Sequence, residues 1–300
     1  DSERLQGPKQ KGKSAKWSTV DKAIGKALAS AKSVALISNT VISPSLASSI
    51  EELKSSTPGT FEHIQYDSIS YSALRRANEL NFGKSFIPSY DFSKAKTIVS
   101  FGADFLSTWL MPTVFSCQYG EKRNPDGKWM SKHFQFEAVM SVTGSNADYR
   151  AMTKPSEEES VLRYILARLN NTSASISKSL KSTADAAVKS LKESGKESLV
   201  VCGTNNTGIQ QLVNEINNVL GANGTTIDIY NELNMFQSEE AKMLDFVDNM
   251  AKGQRPDVVL FYNSNPVYSL PNGADLAKEL KNVKTSISLN CLLYTSPSPR

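Results

Sequence analysis

Three places in this chain join small or amide residues to the end of an apolar run. Thr97 to Phe101 ends at Gly102 with Asp104 two residues on, Ser198 to Cys202 ends at Gly203 with Thr204 and Asn205, and Asp257 to Tyr262 ends at Asn263 with Asn265. Glycine, short hydroxyls and amides at the carboxyl edge of a parallel sheet let backbone amides come close to a phosphate or a purine. Turns need the same residue types, so the pattern alone leaves both readings open.

Other chemistry has little to work with. There are three cysteines in all, Cys117, Cys202 and Cys291, with no C-x-x-C spacing, whereas an iron–sulfur or structural zinc site takes about four ligands. Cys202 closes an apolar run and Cys117 falls on a helix, so both read as buried thiols. His63 and His133 are the two histidines; far apart in sequence and each in or beside a strand, they do not read as metal ligands. No G-x-G-x-x-G follows any strand and no G-x-S-x-G elbow occurs. The acidic pairs Glu51-Glu52 and Glu239-Glu240 lie on helices with solvated faces. Gly7 to Ser14 reads GPKQKGKS and matches the phosphate-loop spelling. No strand delivers it, however, and Pro8 removes an amide that such a loop uses. No catalytic constellation and no metal site emerges.

The elements that would position the strand ends follow from periodicity. Strands are expected at Ser33 to Ser38, His63 to Tyr66, Thr97 to Phe101, Phe134 to Met140, Ser198 to Gly203, Thr226 to Tyr230, Val258 to Tyr262 and Thr285 to Leu289. Helices are expected at Trp17 to Leu28, Pro44 to Lys54, Tyr71 to Leu80, Ser107 to Tyr119, Pro155 to Leu169, Ala184 to Lys192, Gly208 to Leu220, Ser238 to Ala251 and Ala274 to Leu280. Phe134 to Met140 alternates and is placed toward a sheet edge with one wetter face; the polar stretch Thr143 to Asp148 is a loop. Short β-branched runs alternating with helices predict an α/β protein, doubly wound, with mostly parallel sheets in two Rossmann-like layers. The expected division is a leading segment and helix at 1–32, a first α/β domain at 33–169, a serine-rich linker at 170–182 and a second α/β domain at 183–290. Residues 291–300, CLLYTSPSPR, resemble a translated sequencing adapter and are set apart as an artefact tail. The opening at Asp1 reads as a start inside a longer protein.

Composition narrows the class. Charged residues are 21% and the hydrophobic set 39%, values of a globular chain, and no apolar run reaches the roughly 18 residues of a membrane span. A net charge of +4 with lysines crowded into Lys9 to Lys26 describes a solvated leading segment rather than a nucleic-acid footprint.

Longer stretches carry a resemblance. Trp17 to Asp21, Ser198 to Gly203 with Asn214 to Thr226, and Val258 to Pro266 are similar to molybdopterin-dinucleotide oxidoreductases. More specifically, SNTVISPS at Ser38 to Ser45, DFSKAKTIVSFGADFLSTW at Asp91 to Trp109, HFQFEAVMSVTGSNADYR at His133 to Arg150 and KPSEE at Lys154 to Glu158 resemble the iron–sulfur, molybdopterin oxidoreductase-like subunit of bacterial alternative complex III, in the molybdopterin oxidoreductase superfamily. The resemblance covers nearly all of residues 1 to 290. It implies a non-catalytic scaffold in a quinol-oxidising respiratory complex, supporting electron transfer toward cytochrome c or an oxidase at the periplasmic face of the inner membrane. Multihaem cytochrome and quinol-binding membrane subunits are the implied partners. It implies no molybdopterin in this part and iron–sulfur clusters in a cysteine-rich part beyond it. Where cofactor-binding relatives carry Gly-x-Asn-Pro, this chain has Ala103-Asp104-Phe105, and Phe105 and Trp109 are expected to crowd a nucleotide. Gly102, Asp104, Gly203, Thr204, Asn263 and Asn265 are then vestigial strand-end positions. Two alternatives stay open: a piece of a catalytic molybdopterin-dinucleotide oxidoreductase whose metal ligand lies upstream, and a free-standing nucleotide-binding α/β protein.

Overall fold

A computed structural model describes residues 4–290; the adapter-like stretch lies outside the described residues. The chain is mixed α/β, with two four-stranded, all-parallel sheets flanked by helices in the doubly wound, Rossmann-like manner. It forms two compact units, 1–72 with 235–300, and 73–234. The units therefore do not follow the expected division at 33–169 and 183–290. The reason is strand pairing: Ser198–Cys202 lies beside Thr97–Phe101, and Val258–Tyr262 lies beside Ser33–Ser38, so each sheet recruits strands from both expected halves.

In the first unit the strand order is Thr285–Ser288, Val258–Tyr262, Ser33–Ser38, Thr60–Gln65. Alternation along the strands divides its core in two. Ala35, Ile37, Val259 and Phe261 pack on Met243, Phe246 and Val247 of helix Glu240–Ala251, together with Leu276 and Leu280 of helix Gly273–Leu280. Val34, Leu36, Val258 and Leu260 take the other face, with Ile50 of helix Pro44–Ser56 and Ala27 and Leu28 of helix Trp17–Ser30. A strand buried on both faces must be apolar at every position, which is why these runs do not alternate in sequence. The phosphate-loop spelling is a small hairpin, Lys9–Gln10 against Lys13–Ser14, turned at Lys11 and Gly12.

The second unit is built around Thr97–Phe101, in the order Tyr149–Met152, Lys132–Glu137, Thr97–Phe101, Ser198–Cys202. One face, Val99, Phe101, Phe134, Phe136 and Val200, packs on helices Pro155–Leu169, Lys178–Ser194 and Thr207–Leu220. The last of these stops at Gly221 in the left-handed region, φ 72°, as its sequence predicts. An aromatic group containing Phe92, Phe105 and Phe115 is buried in the same unit. A short antiparallel pair, Pro88–Tyr90 with Ile227–Glu232, completes it.

Several expectations shift. Lys132–Glu137 is an interior strand, and the edge belongs to Tyr149–Met152, a four-residue strand too short and mixed to stand out by periodicity. Helix Lys178–Ser194 begins inside the expected linker. Pro112 takes a first-turn position, so the helix starts there rather than at Ser107. Cys117 is exposed on that helix, while Cys202 is buried.

Candidate functional site

Gly102 and Gly203 end adjacent strands of the second unit. Gly102 turns the chain at φ 57°, where a side chain adds strain. Gly203 is needed for a different reason: a Cβ there would stand 2.6 Å from the Gly102 carbonyl oxygen. The Gly203 amide donates to Phe101 O at 2.8 Å and the Gly102 amide to Phe136 O at 2.8 Å, so both are engaged in extending the ladder.

Across this end lies Glu158, in the first turn of helix Pro155–Leu169. Thr204 Oγ1 donates to its Oε2 at 2.5 Å, and its Oε1 lies 3.6 Å from where a Gly102 Cβ would be. Burial pushes the Glu158 carboxyl above its ordinary range, the Thr204 hydroxyl offsetting part of the effect. Burial, opposed by the Thr204 amide and helped by the nearby Glu158, pushes the Cys202 thiol up to about 12, so it stays protonated and unreactive. The Thr204 amide is aimed at Cys202 Sγ at 3.4 Å.

The side chains that follow are also engaged. Asn205 Oδ1 accepts from Ala73 N at 2.9 Å, at the start of helix Ser72–Phe82. Asn206 caps its own helix through Ile209 N, and Gln210 Nε2 donates to the carbonyls of Cys202 and Thr204. A phosphate-bearing cofactor would require free amides and positive charge at these strand ends. The donor set instead places a carboxyl group at the mouth and turns the Thr204 hydroxyl and the Gly102 and Gly203 amides to protein acceptors. These residues do not fit such a group.

Asp104 has a structural task. Its Oδ1 accepts from Thr143 N at 3.0 Å and Thr143 Oγ1 at 2.7 Å, and Thr143 Oγ1 in turn accepts from Leu106 N. Its carbonyl receives the amides of Ser107, Thr108 and Trp109. The segment is thereby folded so that Phe105 and Trp109 enter the core. Phe105 stacks on Phe92 at 4.3 Å between ring centroids, and Trp109 lies 5.2 Å from Tyr90. Both side chains are buried, so neither stands over the strand end as expected.

Asn263 and Asn265 belong to the other unit. Asn263 turns the chain at φ 49°, and Asn265 caps the short helix Pro266–Ser269. In the same unit the ends of Ser33–Ser38 and Thr60–Gln65 are tied together by Thr40 and Asp67, with Thr40 N on Asp67 Oδ1 at 2.9 Å. The six strand-end positions thus divide four and two between the units.

A buried polar file in the second unit has no counterpart among the expected site residues. The wetter face of Lys132–Glu137 is not wet: His133, Gln135 and Glu137 are buried side by side. His133 Nε2 meets Gln135 Oε1 at 3.2 Å, and Gln135 Nε2 donates to Glu137 Oε2 at 3.1 Å. Glu137 also accepts from Ser141 Oγ at 2.6 Å and Arg150 Nε at 2.6 Å. His133 Nδ1 lies 3.2 Å from Tyr119 Oη. Burial pushes His133 down to about 4, only partly reversed by Gln135, so the ring is neutral. The signal was the period-two spacing of His, Gln and Glu against two phenylalanines, which fits a buried network as well as a solvated face. Among the described residues no cluster of three metal-ligating side chains occurs, and no helix is long and apolar enough to cross a membrane.

No family model and no curated protein matches the chain. Among solved structures it is similar to a chain of the formyltransferase/hydrolase complex from Methylorubrum extorquens, determined with methylofuran. The TM-score is 0.55 at 12% identity, over 91% of this chain and 79% of that one. At that identity the likeness is one of fold. The neighbour is part of a multisubunit complex.

Proposed function

We propose that this chain is a non-catalytic, molybdopterin-oxidoreductase-like scaffold, part of the iron–sulfur subunit of a quinol-oxidising respiratory complex of the alternative complex III kind. In that role it holds partner subunits at the periplasmic face while quinol electrons pass toward cytochrome c or an oxidase through clusters and haems carried elsewhere. The observation that carries the reading is the Glu158 carboxyl across the Gly102 and Gly203 strand ends, bonded to Thr204. A carboxyl group in that place repels a dinucleotide phosphate instead of receiving one. The four stretches that resemble the alternative complex III protein point the same way, and one of them, KPSEE, contains Glu158 itself. Membership of a multisubunit assembly is in keeping with the structural neighbour.

The test is metal and pterin analysis of the full-length protein isolated with its assembly from native membranes. The expected result is covalently bound haem co-purifying with the chain, with neither molybdenum nor pterin assigned to it. A stoichiometric pterin on this chain, or isolation free of any haem-containing partner, overturns the proposal.

A further inference from the structure

Tyr149–Met152 is the outer strand of its sheet, and among the described residues nothing pairs with its far side. An unpaired edge offers a row of backbone donors and acceptors, and folded proteins ordinarily blunt it with charge, proline or a covering element. Here it is bordered by exposed apolar side chains. Met152 on the strand is 75% exposed, Val139 81% and Met140 66%, with Val142 and Tyr149 also exposed. Glu137 gathers them: it pairs in register with Met152, accepts from Arg150 on the edge strand, and accepts from Ser141 between Met140 and Val142. Val139, Met140, Val142 and Met152 therefore gather on the Glu137 side of the edge, while Tyr149 stacks on Phe134 on the other face; an exposed apolar patch usually marks an interaction site.

Two lysines flank it without an ion pair among the described residues: Lys132, which lies over the Tyr149 ring at 5.6 Å, and Lys154. The nearby carboxylates are already engaged, Glu137 with Arg150, Asp148 with Arg123 and Glu157 with the Lys154 backbone amide. A second copy of the chain docked edge to edge would bring the lysines of both copies to one seam whose carboxylates are already hydrogen-bonded. An acidic segment meets them favourably.

We propose that this edge, with the Val139, Met140 and Met152 patch, receives an extended acidic and apolar segment of a partner protein as an added strand. Main-chain bonds along Tyr149–Met152 supply the register, alternate apolar side chains of the segment cover the patch, and its carboxylates meet Lys132 and Lys154. The inference is independent of whether the strand ends bind a cofactor.

The test places a photo-crosslinking benzoylphenylalanine at Met152, and separately at Val139, of the full chain in its native cells. A control carries it at Tyr268, more exposed still and on the other unit. The expected result is a crosslink from both patch positions, absent from the control, to one partner segment richer in acidic than basic residues. The surface double variant Lys132→Glu, Lys154→Glu is expected to lower the yield about fivefold while its melting curve is unchanged. Crosslinks to another copy of this chain, to lipid or to a segment without acidic excess overturn the proposal. So does a yield no greater than at Tyr268.

Discussion

Thr204 donates its hydroxyl to Glu158 across the ends of two adjacent strands, and that bond holds a carboxyl group at their mouth. Glu158 is buried and its carboxyl is pushed above the ordinary range, burial being the main cause. A raised folded-state pKa contributes stability fully present below the unfolded value of 4.5 and lost as pH rises through the folded value. Glu158→Gln keeps an acceptor for Thr204 without the charge. Urea denaturation is expected to find it at least as stable as the parent at pH 7, the advantage fading toward pH 4. Glu158→Ala leaves the hydroxyl unpaired and a void, and is expected to lose about 2 kcal/mol.

The opposite sign holds at Glu137. Burial pushes this carboxyl up, but Ser141, Arg150 and Gln135 together outweigh burial and hold it below 4.5. Stability from this group is present above 4.5 and is lost as pH falls through the folded value. Glu137→Ala strands Arg150 and Gln135 and is expected to cost about 3 kcal/mol at pH 7. In acid titration the variant is expected to lose less stability than the parent below pH 4.5; an identical acid limb would remove Glu137 from the account.

Two neighbouring glycines are expected to respond unequally. Gly102→Ala meets only ordinary contact but must adopt φ 57°, a cost of about 1 kcal/mol. Gly203→Ala drives a methyl to 2.6 Å from the Gly102 carbonyl, backbone that cannot swing away, and is expected to cost about 3 kcal/mol. Thermal melts of the pair check the order.

Phe105→Ala separates a blocking side chain from a packing one. Its ring is fully buried against Phe92 and lies 5.6 Å from Tyr119, so truncation is expected to cost about 4 kcal/mol. Equilibrium dialysis with a guanine nucleotide is expected to find no binding gained.

Cys117 and Cys202 differ in access. Brief treatment of the native protein with iodoacetamide at pH 8, followed by peptide mapping, is expected to modify Cys117 and spare Cys202, whose thiol is pushed up to about 12. Urea should bring Cys202 into reaction. Modification of Cys202 in the native protein would place it nearer solvent than the structure does.

The strands that carry both cores were legible because burial on two faces forces unbroken apolar runs, as at Val34 to Ile37 and Val258 to Phe261. Helix ends were legible where one residue acts alone, such as Pro44 or Gly221. Pairing was not legible. Nothing local in Ser198–Cys202 states that its neighbour is Thr97–Phe101 rather than another strand of its own half, because sheet order is decided by packing over the whole chain. The site was half legible: Gly102, Gly203 and Thr204 were found by their place at strand ends, whereas Glu158 looked like an ordinary helix-starting acid among three in a row. Its burial and its bond to Thr204 depend on a helix laid across two strands, which a linear reading does not contain.

The interrupted first unit also sets an order of events during synthesis. Its central pairing joins Val34 to Val258, and the Lys32 amide to the Asp257 carboxylate, 225 residues apart. Residues 73–234 can complete their sheet while the remainder is still on the ribosome, but the sheet begun by the strands at 33–38 and 60–65 must wait for residue 262 to emerge. At ~10 residues per second the wait is on the order of 20 seconds. Throughout it Val34 to Ile37 can pair with Thr60 to Gln65 on one side only, and its other, apolar edge waits for Val258 to Tyr262.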